Sequence, residues 1–403
     1  MSVYIDVTEF LASPLRSGIQ RVVAQICRNW PDGSLVPVRF ERDKLVVLSR
    51  QLIGDIERHF EQSRAASLLA FRFAMAKTWR ARAPLILKDE DTLLVPEVFY
   101  DLERLAYYSA LSEKTIARCR FILYDLTPIE YPEFFPDAQY DAICAYFQMI
   151  RRVAHCGFIS QATQRAYCHR LLRLGDLSGV VFRLGSDGLG PRPASARRCP
   201  SLTFTVVGRI EPSKNPDVVL EAFEPLLQQI PGMRLILIGA IGHMRPSFSD
   251  KLKRMAADPA SGVSHYSNAS DELIRTHVDA SRATIFVSGA EGFGLPPVES
   301  LWRGIPVIAS AKIPSLETIG SMGVDLVEPL TVPRLRNAVR AFLDDEYAMR
   351  KSEEAMALEL PTWQGFTSEV AAWCAPDGPY GDGMIAQPSR KLLMKAFRMS
   401  QAQ

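Results

Sequence analysis

The chain has 403 residues, which exceeds one ordinary α/β domain and predicts two domains of about 200 residues each. Hydrophobic residues make up 47% of the chain and charged residues 23%, values that are ordinary for a soluble globular protein. The formal net charge of +2 excludes no class of partner, so only the distribution of charge along the chain is informative.

The seven cysteines are odd in number and form no close Cys-x-x-Cys pair. Neither a zinc site nor a disulfide framework is indicated, which favours a reducing compartment. The chain starts directly with a strand-like segment, without a basic stretch and long apolar core ahead of it, and it holds no apolar run of about 18 residues. We therefore expect a cytoplasmic protein.

Strand-like runs alternate with helical patterns in both halves, which predicts an α/β fold of parallel sheets with crossover helices. A segment rich in Gly, Pro and Ser at 185–195 indicates the hinge between the halves. We therefore predict an N-terminal domain over 1–190, a C-terminal domain over 191–375 and a tail over 376–403. The strand-like runs lie at 3–7, 92–96, 121–126, 156–160, 180–184, 202–207, 234–238, 263–266, 284–288 and 305–310.

Residues 58–82 combine basic side chains with aromatic and aliphatic ones. Leu68, Phe71, Met75 and Trp79 share one face at helical spacing, which indicates an ordinary core-facing stripe. The same composition also suits an anionic membrane surface or a lipid diphosphate. We expect weak membrane contact through this segment, on the inner face of the membrane, and no nucleic-acid binding, because no recognised nucleic-acid-binding module accompanies the charges.

Acidic residues stand at two further places in the first half. Asp89-Glu90-Asp91 spells the Asp-x-Asp of metal-dependent transferases, but it follows Lys88 and precedes a strand, so a solvated turn is favoured and no metal is expected. Asp125 ends a predicted strand, where it either orients a ligand hydroxyl or caps a turn. The preceding Tyr124 is a poor base at neutral pH, because a tyrosine pKa lies near 10.

Two cations flank a predicted strand-to-helix turn in the second half. Arg209 and Lys214 are five residues apart, so they can supply a guanidinium fork and a point charge to a diphosphate beside a helix N-terminus. The alternative is a surface ion pair between these cations and Glu211.

The segment from Glu291 to Glu299 reads Glu-Gly-Phe-Gly-Leu-Pro-Pro-Val-Glu and lies between two strand-like runs. Gly292 and Gly294 let the main chain approach a ligand, and the proline pair opens a helix. In open parallel sheets the loop after a strand's carboxyl end binds ligands. Both carboxylates can therefore face one pocket and accept hydrogen bonds from sugar or ribose hydroxyls. A polar turn followed by an exposed helix start is the alternative.

This segment resembles the donor-binding motif of the retaining glycosyltransferases of family four, which have the GT-B fold. Residues 207–215 are similar to that family's turn in which Arg and Lys hold a diphosphate. Residues 124–133 are similar to its His-Asp-Leu-Ile-Pro segment and following Pro-Glu pair, with Tyr124 in place of His. The resemblance spans roughly residues 3–330 and is tightest in the second half.

The resemblance implies roles for individual residues. Glu291 would contact donor sugar hydroxyls and Glu299 the ribose, while Arg209 and Lys214 would stabilise the leaving nucleoside diphosphate. The implied catalytic residues are Asp125, Glu291, Arg209 and Lys214. The implied donor-binding residues are Gly18, which stands at the family's Gly-Gly loop, Tyr124, Arg209, Lys214, His265 and Tyr266 at the base, Glu291, Gly292, Phe293, Gly294, Leu295 and Glu299.

The resemblance further implies two Rossmann-like domains facing across a cleft, with the acceptor on the first domain and the tail crossing back to it. The expected enzyme is a retaining, metal-independent transferase without a cofactor. It would move a hexose from a nucleoside diphosphate sugar, with GDP-mannose favoured, to a lipid-linked or growing surface polysaccharide. An epimerase or phosphorylase on the same fold, or a donor-binding subunit without turnover, remains the alternative.

Overall fold

The computed structural model of the protein describes residues 1–61, 64–78, 83–130, 139–172, 179–196 and 201–375. The chain divides into two compact units. The first unit comprises Met1–Arg183 together with the segment that begins at Gln364, and the second comprises Leu184–Trp363.

The first unit is built on a seven-stranded sheet of order β3-β2-β1-β4-β5-β6-β7, in which only the β2–β3 pair is antiparallel. The strands are buried runs rich in Val, Ile, Leu and Phe, as the interior of a parallel sheet requires. Their bounds are β1 (Val3–Asp6), β2 (Leu35–Glu41), β3 (Lys44–Val47), β4 (Thr92–Val95), β5 (Cys119–Leu123), β6 (His155–Phe158) and β7 (Val180–Val181).

Helices of the first unit pack on this sheet around an aromatic core that includes Phe99, Tyr108, Phe121 and Tyr146. Several begin at a side-chain cap, as where Ser17 accepts a hydrogen bond from the Gln20 amide. Their bounds are α1 (Thr8–Ala12), α2 (Gly18–Asn29), α3 (Gln51–Glu57), α4 (Arg64–Thr78), α5 (Leu102–Ala110), α6 (Glu113–Ile116), α7 (Thr127–Glu130), α8 (Tyr140–Ile150) and α9 (Gln161–Ala166).

The second unit holds a six-stranded, all-parallel sheet of order β10-β9-β8-β11-β12-β13. The strands are β8 (Thr203–Val207), β9 (Arg234–Ile238), β10 (Val263–Tyr266), β11 (Ala283–Phe286), β12 (Val307–Ser310) and β13 (Val324–Val327). The helices are α10 (Pro216–Gln229), α11 (Pro246–Ala257), α12 (Asp271–Asp279), α13 (Leu295–Trp302), α14 (Val332–Ala341) and α15 (Asp345–Ala357).

The strand order reverses once in each sheet, between β1 and β4 in the first unit and between β8 and β11 in the second. Crossover helices therefore leave on opposite sides of the sheet at these two places. The loops after the two strands diverge and open a crevice at the strands' carboxyl ends, which is where open α/β sheets bind ligands. Each unit is thus Rossmann-like, as the sequence predicts.

The units divide at 183/184 and 363/364, whereas the sequence places the boundaries at 190/191 and 375/376. Residues after 184 pack against the end of the second unit, because Ser186 donates its amide to the Pro361 carbonyl at 2.9 Å and the Trp363 amide reaches Asp187 at 2.7 Å. The last described helix, α16 (Trp363–Cys374), packs with the first unit, where Thr92 donates its hydroxyl to the Cys374 carbonyl at 2.9 Å. The predicted tail over 376–403 lies outside the described residues.

No helix in the described ranges combines the length and hydropathy needed to cross a bilayer.

The carboxyl ends of β8 and β9 approach each other at two glycines. The Gly208 amide donates to the Ile238 carbonyl at 2.9 Å, and Gly239 has a φ of 152°. A Cβ on Gly239 would lie 1.9 Å from the Gly208 carbonyl oxygen, so no other residue fits there without moving the backbone. Gly239 therefore fixes how closely the loop after β8 approaches its neighbour.

We predict that Gly239→Ala is more destabilising than Gly232→Ala. Both glycines have positive φ, so either alanine costs about 1–2 kcal/mol of backbone strain. Only at Gly239 does the new methyl meet backbone, which adds roughly 1–3 kcal/mol. Urea unfolding followed by circular dichroism measures the difference, and equal midpoints for the two variants would show that the close approach is not a constraint.

Candidate functional site

The crevice between β8 and β11 opens into a pocket. Its walls are residues 206–210 and 285–288, which are the ends of the two strands, together with Lys214 from the turn after β8. The predicted cation turn and the segment that begins at Glu291 are the two loops that leave these strand ends. The fold therefore brings the two main motifs of the second half to one place.

The turn after β8 is tied to the end of β11 by three hydrogen bonds. Pro212–Lys214 forms one turn of 3-10 helix, and Asn215 follows in the left-handed region with a φ of 52° before Pro216 opens α10. The Asn215 side-chain amide donates to the Val287 carbonyl at 2.8 Å. The Ser213 carbonyl accepts from the Gly289 amide at 2.8 Å and from the Ser288 hydroxyl at 3.2 Å. Asn tolerates this backbone conformation better than most residues, so one side chain both permits the turn and anchors it.

Lys214 and Glu291 form an ion pair in the site. The Lys214 ammonium donates to Glu291 Oε1, and both side chains are largely shielded from solvent. The same ammonium lies 6.0 Å from the centre of the Phe286 ring, at the end of β11. The structure thus brings together two residues that the sequence assigned separately to diphosphate and sugar.

Arg209 is the more accessible of the two predicted cations. Its side chain is 56% exposed, and its Nε lies 3.6 Å from Glu211 Oε2, which is longer than a hydrogen bond. Glu211 accepts in addition from the Ser213 hydroxyl at 3.3 Å. The ion pair expected as the alternative is present, but a screened contact of this length leaves the guanidinium free to bind an anion.

The glycine-rich loop is anchored from outside the motif. Gly294 has a φ of 90° and caps α13, and a Cβ there would lie 2.7 Å from Ile313 Cγ2. The Ser315 hydroxyl donates to the Gly294 carbonyl at 2.7 Å, and the Ser315 amide donates to the Phe293 carbonyl at 2.9 Å. Along this loop Gly292 is buried and Leu295 half-buried, so the segment is held against the unit rather than being a free polar turn.

Glu299 lies on the inner side of α13 and is only 4% exposed. It borders a second pocket, which shares Val207, Ile285 and Phe286 with the first one. The expected alternative of an exposed helix start is therefore wrong for Glu299. The fold therefore places the Glu299 carboxylate beside the ends of the two strands and not in solvent.

His265 and Tyr266 end β10, two strands away from the crevice on the β9 side. The His265 ring nitrogen Nε2 lies within hydrogen-bond distance of the Gly239 carbonyl, at 2.9 Å. Tyr266 is exposed and stacks on His277 with ring centres 4.8 Å apart, and burial lowers the pKa of His277. His265 thus supports the Gly239 loop, while Tyr266 presents a ring to solvent.

The three predicted site residues of the first unit have local roles in the structure. Gly18 is exposed and is the first residue of α2. Asp125 accepts from the Thr127 amide at 3.0 Å, which is the turn-capping alternative. Tyr124 is buried, and its hydroxyl donates to the Pro96 carbonyl at 2.8 Å, so burial raises its pKa well above 10. Tyr124 is therefore packed in the core of the first unit, and its role as a donor contact stays a prediction.

The Asp-x-Asp segment is also engaged in local contacts. Asp89 pairs with Lys114 at 2.9 Å on the surface. Asp91 is buried and accepts from the Ser2 amide at 2.9 Å and the Lys88 amide at 3.1 Å. Asp89 is thus part of a solvated turn as expected, whereas Asp91 ties the start of β1 to the segment before β4.

A polar network that the sequence did not reveal occupies the carboxyl ends of β1 and β4 in the first unit. Arg104 donates to Asp6 Oδ2 at 2.6 Å and stacks over the Phe99 ring at 3.8 Å, and the Tyr108 hydroxyl donates to the same Asp6 oxygen at 2.6 Å. Glu97 accepts from two amides at the start of α1, and burial raises the pKa of Glu97 to about 8. The partners are roughly a hundred residues apart in sequence, so no local pattern signals them.

A family model of known proteins matches part of the chain. Residues 192–359 match the family model described as Glycosyl transferases group 1. This range contains Arg209, Lys214 and Glu299, which line the two pockets, and Glu291, which pairs with Lys214. The resemblance to glycosyltransferases of family four is therefore confirmed for the second unit.

Curated relatives match over limited lengths. The serotype-specific mannosyltransferase WbdA of Escherichia coli is 36% identical over 106 residues, covering 26% of this chain and 13% of that protein. A D-inositol 3-phosphate glycosyltransferase of Acidothermus cellulolyticus is 32% identical over 174 residues, covering 41% of this chain and 38% of that protein. The chain thus spans between about an eighth and two fifths of the length of these relatives.

Solved structures match over nearly the whole chain. A sucrose-phosphate synthase of Thermosynechococcus elongatus superposes with a TM-score of 0.60 at 15% identity, covering 92% of this chain and 97% of that one. HepE of Anabaena, in complex with UDP-glucose, superposes with a TM-score of 0.56 at 15% identity and covers 100% of both chains. Likeness at this level of identity shows the fold, which is GT-B.

We predict that substitutions of Asn215 separate its two local roles. Asn215→Gly keeps the left-handed turn but removes the hydrogen bond to Val287, a loss of about 1 kcal/mol. Asn215→Ala removes that bond and also forces alanine to a φ of 52°, which adds about 1–2 kcal/mol. Urea unfolding of both variants measures the step between them. Equal stabilities would mean that the turn relaxes freely and does not fix Lys214.

Proposed function

We propose that this chain, whose residues 192–359 match the family model described as Glycosyl transferases group 1, is a hexosyltransferase that uses a nucleoside diphosphate sugar as its donor. The observation that carries the proposal is the crevice between β8 and β11, where Arg209 and Lys214 line one pocket and Glu299 lines a neighbouring one that shares Val207, Ile285 and Phe286. The second carboxylate, Glu291, is held there by its ion pair with Lys214. A diphosphate needs the cations, and the hydroxyls of a sugar and a ribose suit the carboxylates.

The Lys214–Glu291 pair is the starting point of the proposed mechanism. When a donor binds, its diphosphate replaces Glu291 as the partner of the Lys214 ammonium. The released Glu291 carboxylate then accepts hydrogen bonds from the donor's sugar hydroxyls. Each group exchanges one charged or polar partner for another, so neither is left unpaired in a largely shielded site.

Bond cleavage places negative charge on the leaving nucleoside diphosphate. Arg209 and Lys214 stabilise that charge in the transition state, which is the contribution that preorganised cations make most effectively. Because the two side chains supply this positive charge, we propose that transfer needs no divalent metal. We further propose retention of configuration by front-face attack, with the donor phosphate accepting the acceptor's proton.

The donor and acceptor are proposed from the chemistry of relatives. A mannosyltransferase is among the sequence relatives, and a structural relative binds UDP-glucose. We propose GDP-mannose as the donor, with UDP-glucose as the competing candidate, and a lipid-linked or growing surface polysaccharide as the acceptor. A panel of nucleotides and nucleotide sugars in a thermal-shift assay distinguishes the donors, because a ligand that binds only the folded state raises the melting temperature.

We predict opposite effects of Glu291→Gln on binding and on turnover. Removing the carboxylate frees Lys214, so the variant should bind the preferred nucleoside diphosphate several-fold more tightly than the wild type. Turnover of the nucleotide sugar should fall by about 100-fold, because the carboxylate no longer positions the donor's sugar for the reaction. Calorimetry measures the affinity, and chromatography of the released nucleotide measures the turnover.

The control for this variant is Glu353→Gln, which removes an exposed carboxylate from α15 and should change neither quantity. Lys214→Met should weaken nucleoside diphosphate binding by about tenfold or more. Full turnover in Glu291→Gln would remove Glu291 from the mechanism. Tight nucleotide binding by the wild type without any hydrolysis or transfer would instead identify a donor-binding subunit.

We propose in addition that the first unit contacts an anionic membrane through α4. Phe71 faces inward and packs on the rings of Phe10 and His59, as a core-facing stripe predicts. One turn apart on another face, Leu69 and Phe73 are 55% and 61% exposed, with the exposed Arg72 beside them. The helix contains no Asp or Glu, so its outer face combines apolar anchors with positive charge.

We predict that the double variant Leu69→Ser/Phe73→Ser loses most of its binding to liposomes that contain anionic lipid. The control variant is Ile86→Ser, which changes a side chain outside α4. Ile86 is 79% exposed, and this variant should bind like the wild type. Co-sedimentation at low salt measures the bound fraction. Wild-type protein that stays entirely in the supernatant, or equal binding by both variants, would contradict the membrane contact.

A further inference from the structure

A third loop, residues 239–245 after β9, borders the turn that carries Arg209. The Ile210 amide donates to the Ala240 carbonyl at 2.9 Å, and the Gly242 amide donates back to the Ile210 carbonyl at 2.8 Å. Ile210 and Ile241 form an isolated parallel bridge. The two loops therefore extend the β8–β9 pairing beyond the ends of the strands.

Within this loop Gly242 lies against the Arg209 side chain. A Cβ on Gly242 would be 2.9 Å from Arg209 Nε and 3.4 Å from Glu211 Oε2. Gly242 is not among the glycines with positive φ, so an alanine there meets no backbone strain. Glycine therefore matters at position 242 because it has no side chain, and not because its backbone is flexible.

The atom that would have to move away from a methyl group on residue 242 is Arg209 Nε. The Arg209 guanidinium ends a flexible side chain that is 56% exposed, so it yields to a new methyl group at little cost in stability. Its direction would change, however, because Nε would have to move away from the new methyl group. Binding of an anion by a planar guanidinium depends on that direction.

We propose that Gly242 is a positioning residue for Arg209, setting the direction in which the guanidinium meets the donor's diphosphate. The inference rests on the proposed function, since it assigns Arg209 to that diphosphate. Gly242 acts together with Glu211, whose Oε2 lies 3.6 Å from Arg209 Nε. Gly242 itself touches no reacting group.

The test is a double-mutant cycle on the full chain, with calorimetric titration of UDP and GDP. Gly242→Ala should weaken the better-bound nucleotide by roughly tenfold, as expected for a misdirected charged contact. Arg209→Met should weaken it at least as much, and the double variant should be no weaker than Arg209→Met alone. The melting temperature of Gly242→Ala should match that of the wild type.

Gly33→Ala serves as the matched control, because a Cβ there meets nothing within 4 Å, and its affinity should be unchanged. Independent effects of Gly242→Ala and Arg209→Met, unchanged affinity in Gly242→Ala, or a drop in its melting temperature comparable to that of Gly239→Ala would each overturn the positioning role. A wild type that binds neither nucleotide contradicts the proposed function, and this inference with it.

Discussion

The hydrogen bonds that join the turn after β8 to the end of β11 are the constraint on which the candidate site depends. Asn215 and the Ser213 carbonyl hold the two strand ends together across the place where the strand order reverses. Lys214 lies between these two anchored residues, so its backbone is held in place where the ammonium can contact Glu291. The pocket, the ion pair and the cation turn are all consequences of that junction. Changes that loosen it should therefore affect ligand binding more than changes elsewhere on the surface of the second unit.

The two units use the same topological feature differently. In the first unit, Arg104, Asp6 and Tyr108 fill the carboxyl ends of β1 and β4 with a buried network. In the second unit, the corresponding crevice between β8 and β11 opens into a pocket lined by Arg209 and Lys214. The charges of the buried network are already paired and cannot bind a diphosphate, whereas cations beside an open pocket can. This difference supports assigning the donor to the second unit.

Much of the fold and of the site could be predicted from the sequence because the signals are local. All ten strand-like runs are strands, and the cation turn and the segment from Glu291 each encode strand, loop and helix within a few residues. The sequence missed β2, which contains Pro37, its antiparallel neighbour β3, and β13, whose Asp325 interrupts an apolar run. The sequence also predicts a donor contact for Tyr124, and only the tertiary structure shows that its hydroxyl donates to the Pro96 carbonyl. Contacts between distant loops, such as that of Gly242 with Arg209, leave no periodic pattern to read.

The central claim is that the crevice between β8 and β11 binds a nucleoside diphosphate by exchange of the Lys214–Glu291 pair. A crystal structure of the protein with its preferred nucleoside diphosphate tests this most directly. We predict phosphate oxygens at about 3 Å from Lys214 Nζ and from the Arg209 guanidinium, with Glu291 released from the lysine. A nucleotide bound elsewhere while Lys214 and Glu291 remain paired would contradict it.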